Sequence, residues 1–404
     1  MAGNFIYAGC QWSMLIALAK FASPEIVGQF SLGAAITGPI MMISALQLRA
    51  IQSTDTNRDF KFGHYLAMRL ITTVLGILLI ASIAFGAGYR LETALVIVAF
   101  GVAKAVEAIS DILYGQLQQR ERMDSIARSM MIKGPLSLIA FAVAVYATKS
   151  AFGGCLGLIG AWGAVMVGYD IPVTRDLLKS QDAKHQGQES TLTPRWDWSI
   201  LRRMLQISFP LGLAMMLSSL NFNIPRYFVE HRFGERELGI FAAMAYLLVI
   251  GTQIISALGQ SASPRLAAYH ATGDRESFRT LVIKLLIISS GLGVLGVLAA
   301  VVAGKTLLSL LYTPEYAQHS SAFVVLSVAG GLFYVTSILG YAATAARRIH
   351  SQPLILALLV ASTFLICFVG IERYGLMGAA MSLVVSGLVG IVAYGWLLVV
   401  AVKA

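Results

Sequence analysis

Long apolar runs broken by short polar or charged gaps occupy almost the whole chain. They predict spans near residues 4–21, 26–48, 66–88, 92–115, 131–148, 153–172, 206–228, 238–262, 281–303, 321–345, 353–371 and 375–401. Each approaches the roughly 20 residues that cross a hydrocarbon core of about 30 Å. Helix rather than strand follows, because the runs are long, lack period-two alternation, and must satisfy their own backbone groups in lipid. The pattern predicts an all-α polytopic membrane protein of about twelve transmembrane helices.

The gaps carry an orientation signal. One set of alternate gaps, from Arg49 through Arg120, Arg175, Arg265 and Arg347 to Lys403, holds twenty-one lysines and arginines, and the other set holds eight. The positive-inside rule places both termini in the cytoplasm. The longest polar stretch, Thr174 to Ser199, contains Lys184-His-Gln-Gly-Gln-Glu-Ser-Thr and reads as a cytoplasmic linker between halves. After it Trp196, Trp198, Leu201 and Leu205 alternate with Arg202 and Arg203, as in a helix lying on the membrane face. The organisation expected is a six-helix lobe over 1–173, a linker with interfacial helix over 174–205, and a second six-helix lobe over 206–404.

The halves resemble each other. Gly28-Gln-Phe-Ser recurs as Gly239-Ile-Phe-Ala, Ile43-Ser-Ala-Leu as Ile255-Ser-Ala-Leu, Pro135-Leu-Ser-Leu as Pro353-Leu-Ile-Leu, and Gly157-Leu-Ile-Gly-Ala as Gly375-Leu-Met-Gly-Ala. Six helices is an even number, so both copies enter from the same side. Parallel repeats about an axis along the membrane normal follow, with a site between them.

Composition agrees: 57% of the 404 residues are hydrophobic and 12% charged, with a mean hydropathy of +0.75. The net charge of +10 sits in the gaps rather than on a soluble domain, which argues against nucleic acid as a partner. Lys20, the first cation, follows the first apolar run, so that run lacks a signal peptide's charged head and is expected to stay as helix 1. Cys10, Cys155 and Cys367 lie within apolar runs and read as small packing residues.

Two motifs of soluble enzymes are set aside. Gly291-Leu-Gly-Val-Leu-Gly296 has the GxGxxG spacing but lies inside an apolar run, where close helix packing explains it. Gly304-Lys-Thr306 has the tail of a phosphate-binding loop, but Ala299 stands where the first glycine is required. No catalytic constellation, metal-ligand spacing or cofactor motif appears, so neither an enzyme nor a metal or cofactor is expected.

Helix 4 carries Lys104, Glu107 and Asp111, spaced three and four apart and so on one face. At about 1.5 Å per residue they lie roughly 18, 22 and 28 Å from the outer end. Charge at that depth is expensive unless paired or wetted, so the stripe faces a cavity or neutralises itself through a Lys104–Glu107 pair. Glu107 and Asp111 are candidates for ion coupling. Helix 7 ends in Asn221-Phe-Asn-Ile-Pro-Arg226, and the repeat sets Gln11 of helix 1 opposite Phe222. Gln11, Asn221 and Asn223 read either as a shared polar lining or as interhelical packing bonds. Pro39, in mid-span after Thr37-Gly38, is a candidate kink and gate. Arg49 and Arg226 flank Lys104 towards the inner and outer ends, although Arg226 could equally pair with Glu230 one turn on.

Gly28-Gln-Phe-Ser-Leu, Leu46-Gln-Leu-Arg-Ala-Ile-Gln-Ser-Thr-Asp55, Phe209-Pro-Leu-Gly-Leu, Asn223-Ile-Pro-Arg-Tyr-Phe228 and Leu238-Gly-Ile-Phe-Ala resemble the polysaccharide-exporting flippases, the Wzx-like branch of the MATE-like (MOP) superfamily. The resemblance covers nearly the whole chain. It implies translocation of polyprenyl-pyrophosphate-linked oligosaccharide units across the bacterial inner membrane by alternating access of two six-helix lobes. The partners it implies are that lipid-linked substrate, membrane lipids, and polysaccharide polymerase and export proteins. A pyrophosphate is anionic, and Arg49, Lys104 and Arg226 offer it compensating charge. The rival is a MATE-like ion-coupled exporter of small organic cations, which would use Glu107 and Asp111 instead.

Overall fold

A computed structural model describes residues 2–55, 59–182, 192–348 and 351–403. Among these no strand occurs, and the chain is a succession of long helices. The first half contains α1 (Ala2–Phe21), α2 (Pro24–Ala45), short α3 (Leu48–Thr54), α4 (Phe62–Gly86), α5 (Leu91–Gln119), α6 (Met123–Thr148), α7 (Ala151–Val165), a π-helical turn (Met166–Asp170) and α8 (Ile171–Asp182). The second contains α9 (Trp198–Leu247), α10 (Val249–Thr272), α11 (Arg275–Leu311), short α12 (Pro314–Ala317), α13 (Ser320–Ala345), α14 (Gln352–Tyr374) and α15 (Leu376–Lys403).

Among the described residues, ten helical stretches are long and apolar enough to cross a membrane. One of them, Trp198–Thr272, is 75 residues long and holds two of the predicted spans, broken at Gly234, whose φ of 82° ends the helical geometry. The first predicted span is α1, which is not among the ten. The protein is an all-α, multi-pass membrane protein.

Two compact units form, Met1–Ser219 and Leu220–Ala404, with the boundary inside α9. The same packing recurs in each. In the first, α5, the fourth span, packs on α2, α4 and α7; in the second, α13, again the fourth span, packs on α10, α11 and α15. The short sequence matches between halves therefore accompany a shared packing plan.

Both flanks of the polar stretch are helical. The polar stretch from Thr174 begins as helix, α8 continuing to Asp182, while Lys184–Thr191 lies outside the described residues. The segment after it is helical as well: α9 opens at Trp198 and runs unbroken into the predicted span. Asp197 starts it, its Oδ1 accepting from Ser199 N (3.2 Å) and Oγ (2.7 Å). Those bonds hold the carboxyl below its usual range. Leu201 and Met204 on its first turns are buried with Leu46, Leu48, Phe62 and Tyr65, while Trp196, Trp198 and Leu205 stay exposed.

The GxGxxG spacing proves to be packing at one position only. A side chain at Gly293 would meet Gly331 Cα of α13 at 2.7 Å, whereas Gly291 and Gly296 face open space. Gly293→Leu is therefore expected to force α11 from α13 and destabilise the protein by about 1–3 kcal/mol. Gly296→Leu should leave the unfolding temperature in detergent unchanged; equal losses would place the close contact elsewhere. Gly304-Lys-Thr306 also lies within α11, so no phosphate loop forms there.

Candidate functional site

The stripe on α5 is the axis of a charged network inside the first unit. Its spacing continues beyond Asp111 to Tyr114 and Gln118, so five polar side chains share one helical face. Lys104 Nζ lies 2.7 Å from Glu107 Oε2 and stands 5.2 Å from the ring centroid of Trp162. Tyr7 of α1 donates to the other Glu107 oxygen at 2.6 Å. The intrahelical pair is present, and it is also tied to a second helix.

Asp111 is held from two sides. Arg49 Nη1 reaches Oδ1 at 3.2 Å, and Arg69 Nη2 reaches Oδ2 at 3.1 Å. Arg49 comes to this height because Leu46 and Gln47 both turn left-handed (φ 50° and 51°), ending α2 and starting α3 against α5. Its Nε donates to Gln118 Oε1 at 3.0 Å, and its guanidinium lies over Tyr114. The Arg69 side chain is 2% exposed, and its Nε is buried with no hydrogen-bond partner. An orphaned buried donor costs about 1–3 kcal/mol.

A third cluster adjoins through Tyr114. Asp170 and Lys133, with side chains 1% and 2% exposed, lie 3.3 Å apart. Ser129 Oγ donates to Asp170, and Lys133 Nζ donates to Tyr114 Oη at 3.0 Å. The π-helical turn sets Asp170 here. Pro172 has no N–H for the carbonyl four residues back, and Ile171 N–H instead bonds Met166 O, five residues back. Across the network four cations (Arg49, Arg69, Lys104, Lys133) meet three carboxylates (Glu107, Asp111, Asp170).

In the second unit Asn221 is buried, its Oδ1 accepting from Thr363 (2.7 Å) and Ser386 (3.1 Å). This geometry binds α9, α14 and α15 together. Arg226 Nη1 donates to Asn223 Oδ1 at 3.1 Å, rather than to Glu230. Arg226 Nε and Gln11 Nε2 are buried with no hydrogen-bond partner. Pro39 is buried within α2, which runs through it unbroken, and Thr37 Oγ1 donates back to Gly33 O at 2.7 Å. No group of three or more metal-ligating side chains occurs among the described residues.

The sequence reading missed Arg69, Lys133, Asp170 and Tyr7. Asp170 lies within a predicted span, which is the signal that marks it; Arg69 and Lys133 lie at the edge of a span, where they count with the flanking charges, and Tyr7 has no such signal.

The polysaccharide biosynthesis protein family matches residues 1–270. The capsular polysaccharide biosynthesis protein CapF of Staphylococcus aureus is 26% identical over 392 residues, covering 97% of this chain and 95% of that protein. In fold the chain is similar to an inward-facing multidrug resistance MATE family transporter of the MOP superfamily, with TM-score 0.78, 13% identity, and 96% and 94% of the two chains covered. It is likewise similar to the lipid II flippase MurJ in an inward closed conformation, with TM-score 0.72, 12% identity, and 98% and 86% covered. The chain belongs to the polysaccharide biosynthesis protein family and has the fold of the MOP-superfamily transporters.

Proposed function

We propose that this protein flips polyprenyl-pyrophosphate-linked oligosaccharide repeat units across the bacterial inner membrane, by alternating access of two six-helix lobes (1–173 and 206–404, joined by 174–205), for cell-surface polysaccharide biosynthesis. Both termini are cytoplasmic in this reading, and the polymerase and export proteins act on the delivered units. The observation that carries it is the charge balance of the network around α5, four cations against three carboxylates, each carboxylate already engaged by a cation. Such a network attracts an anion and offers a small organic cation no free carboxylate. Arg49, Lys104 and Arg226 contact the pyrophosphate in turn. Gln11 and Asn223 each add a polar group within their own lobe, Asn221 ties α9 to α14 and α15, Glu107 and Asp111 couple an ion to the cycle, and Pro39 lets α2 bend. The relative named for capsular polysaccharide biosynthesis, and the likeness of fold to a lipid II flippase, support the same reading.

Deleting the gene is expected to leave lipid-linked repeat units on the inner leaflet and to remove the surface polymer. Intact surface polymer alongside new sensitivity to organic cations would favour the exporter instead.

A further inference from the structure

The reading of an anionic, lipid-linked substrate leaves the two arginines on Asp111 to be explained. The carboxylate gives one oxygen to each guanidinium, through a single contact on either side. Neither arginine is engaged through the two parallel N–H bonds that make the strongest guanidinium pairing. Arg69 in addition keeps a buried Nε with no hydrogen-bond partner. The carboxylate itself is 34% exposed, while the Arg69 side chain behind it is 2% exposed. The more exposed group is therefore the anion, held by one contact on each side, and the buried group is a cation with a spare donor.

We propose that Asp111 is an exchangeable counter-ion, which holds Arg49 and Arg69 in place until a diphosphate displaces it and occupies both. A diphosphate has more oxygens and more charge than one carboxylate, so it can fill the donor edges that Asp111 leaves incomplete. The displaced carboxylate is not stranded, because its exposure lets it turn to water. Arg49 keeps its orientation during the exchange through Gln118 and the Tyr114 ring. The return of Asp111 then competes with the substrate and speeds its release, which a transport site needs as much as it needs capture.

The test uses the purified full chain in nanodiscs, with inorganic pyrophosphate and farnesyl diphosphate as probes. Asp111→Asn is expected to bind both about tenfold more tightly than the wild type, with slower release, while surface polymer made in cells falls. Asp111→Ser removes the same charge and should act in the same direction, and Arg69→Gln should weaken binding in either background. Equal factors for the two probes are expected because the subsite reads the diphosphate. Wild-type binding with no gain in either Asp111 variant, at unchanged unfolding temperature, overturns the exchange and leaves the flippase reading standing. Binding of tetraphenylphosphonium in place of both diphosphates overturns the two together.

Discussion

Lys133→Ala is expected to be the most destabilising single change in the first unit, lowering stability by about 3–5 kcal/mol. The Lys133 and Asp170 side chains are nearly inaccessible to solvent, so removing the ammonium strands a carboxylate that water cannot reach. Tyr114 and Ser129 supply hydroxyl donors to Asp170, which soften the loss but carry no charge. The paired replacement Lys133→Met with Asp170→Leu should recover most of it, because an apolar pair of similar volume replaces two desolvated charges. Thermal unfolding of the three proteins in detergent measures this. A Lys133→Ala midpoint equal to the wild type would mean that the pair does not hold α6 to the π-helical turn.

Arg49→Glu is expected to abolish polymer export while leaving the protein inserted. The substitution places a carboxylate against Asp111, where Arg49 now sits at 3.2 Å, and turns an excess of cations in the network into an excess of carboxylates. Like charges at that separation cost several kcal/mol, and an anionic substrate meets repulsion where it met attraction. Loss greater than tenfold in surface polysaccharide, at normal protein level, is the expected result. Arg226→Glu should behave alike, since the guanidinium that now meets Asn223 would be replaced by an anion. Normal polymer in both strains would reject the cationic pathway.

How far these features are visible in the sequence depends on their physics. The spans and the all-helical class follow from apolar run length, because lipid leaves the backbone few alternatives. The Lys104, Glu107 and Asp111 stripe follows from helical spacing, and the same spacing continued would have added Tyr114 and Gln118. Arg69 and Lys133 were legible only in part. Near span ends, cations look like flanking charges, and their carboxylate partners lie on other helices, 42 and 37 residues away in the chain. Asp170 depends on a widened turn before Pro172, which periodicity does not encode. The alternation of apolar and basic residues around Trp198 predicts an interfacial segment, and Trp196, Trp198 and Leu205 are exposed. The burial of Leu201 and Met204 within it depends on Phe62 and Tyr65 of α4, a tertiary contact that a local pattern does not contain.

Reconstitution tests the central claim most directly. Purified protein in liposomes, supplied with a fluorescent oligosaccharide on a polyprenyl diphosphate, reports translocation as loss of signal to a membrane-impermeant quencher added outside. The account predicts protein-dependent movement of this lipid between leaflets, abolished by Arg49→Glu and not competed by organic cations. No movement of the lipid, together with protein-dependent flux of an organic cation that Arg49→Glu leaves intact, would contradict it.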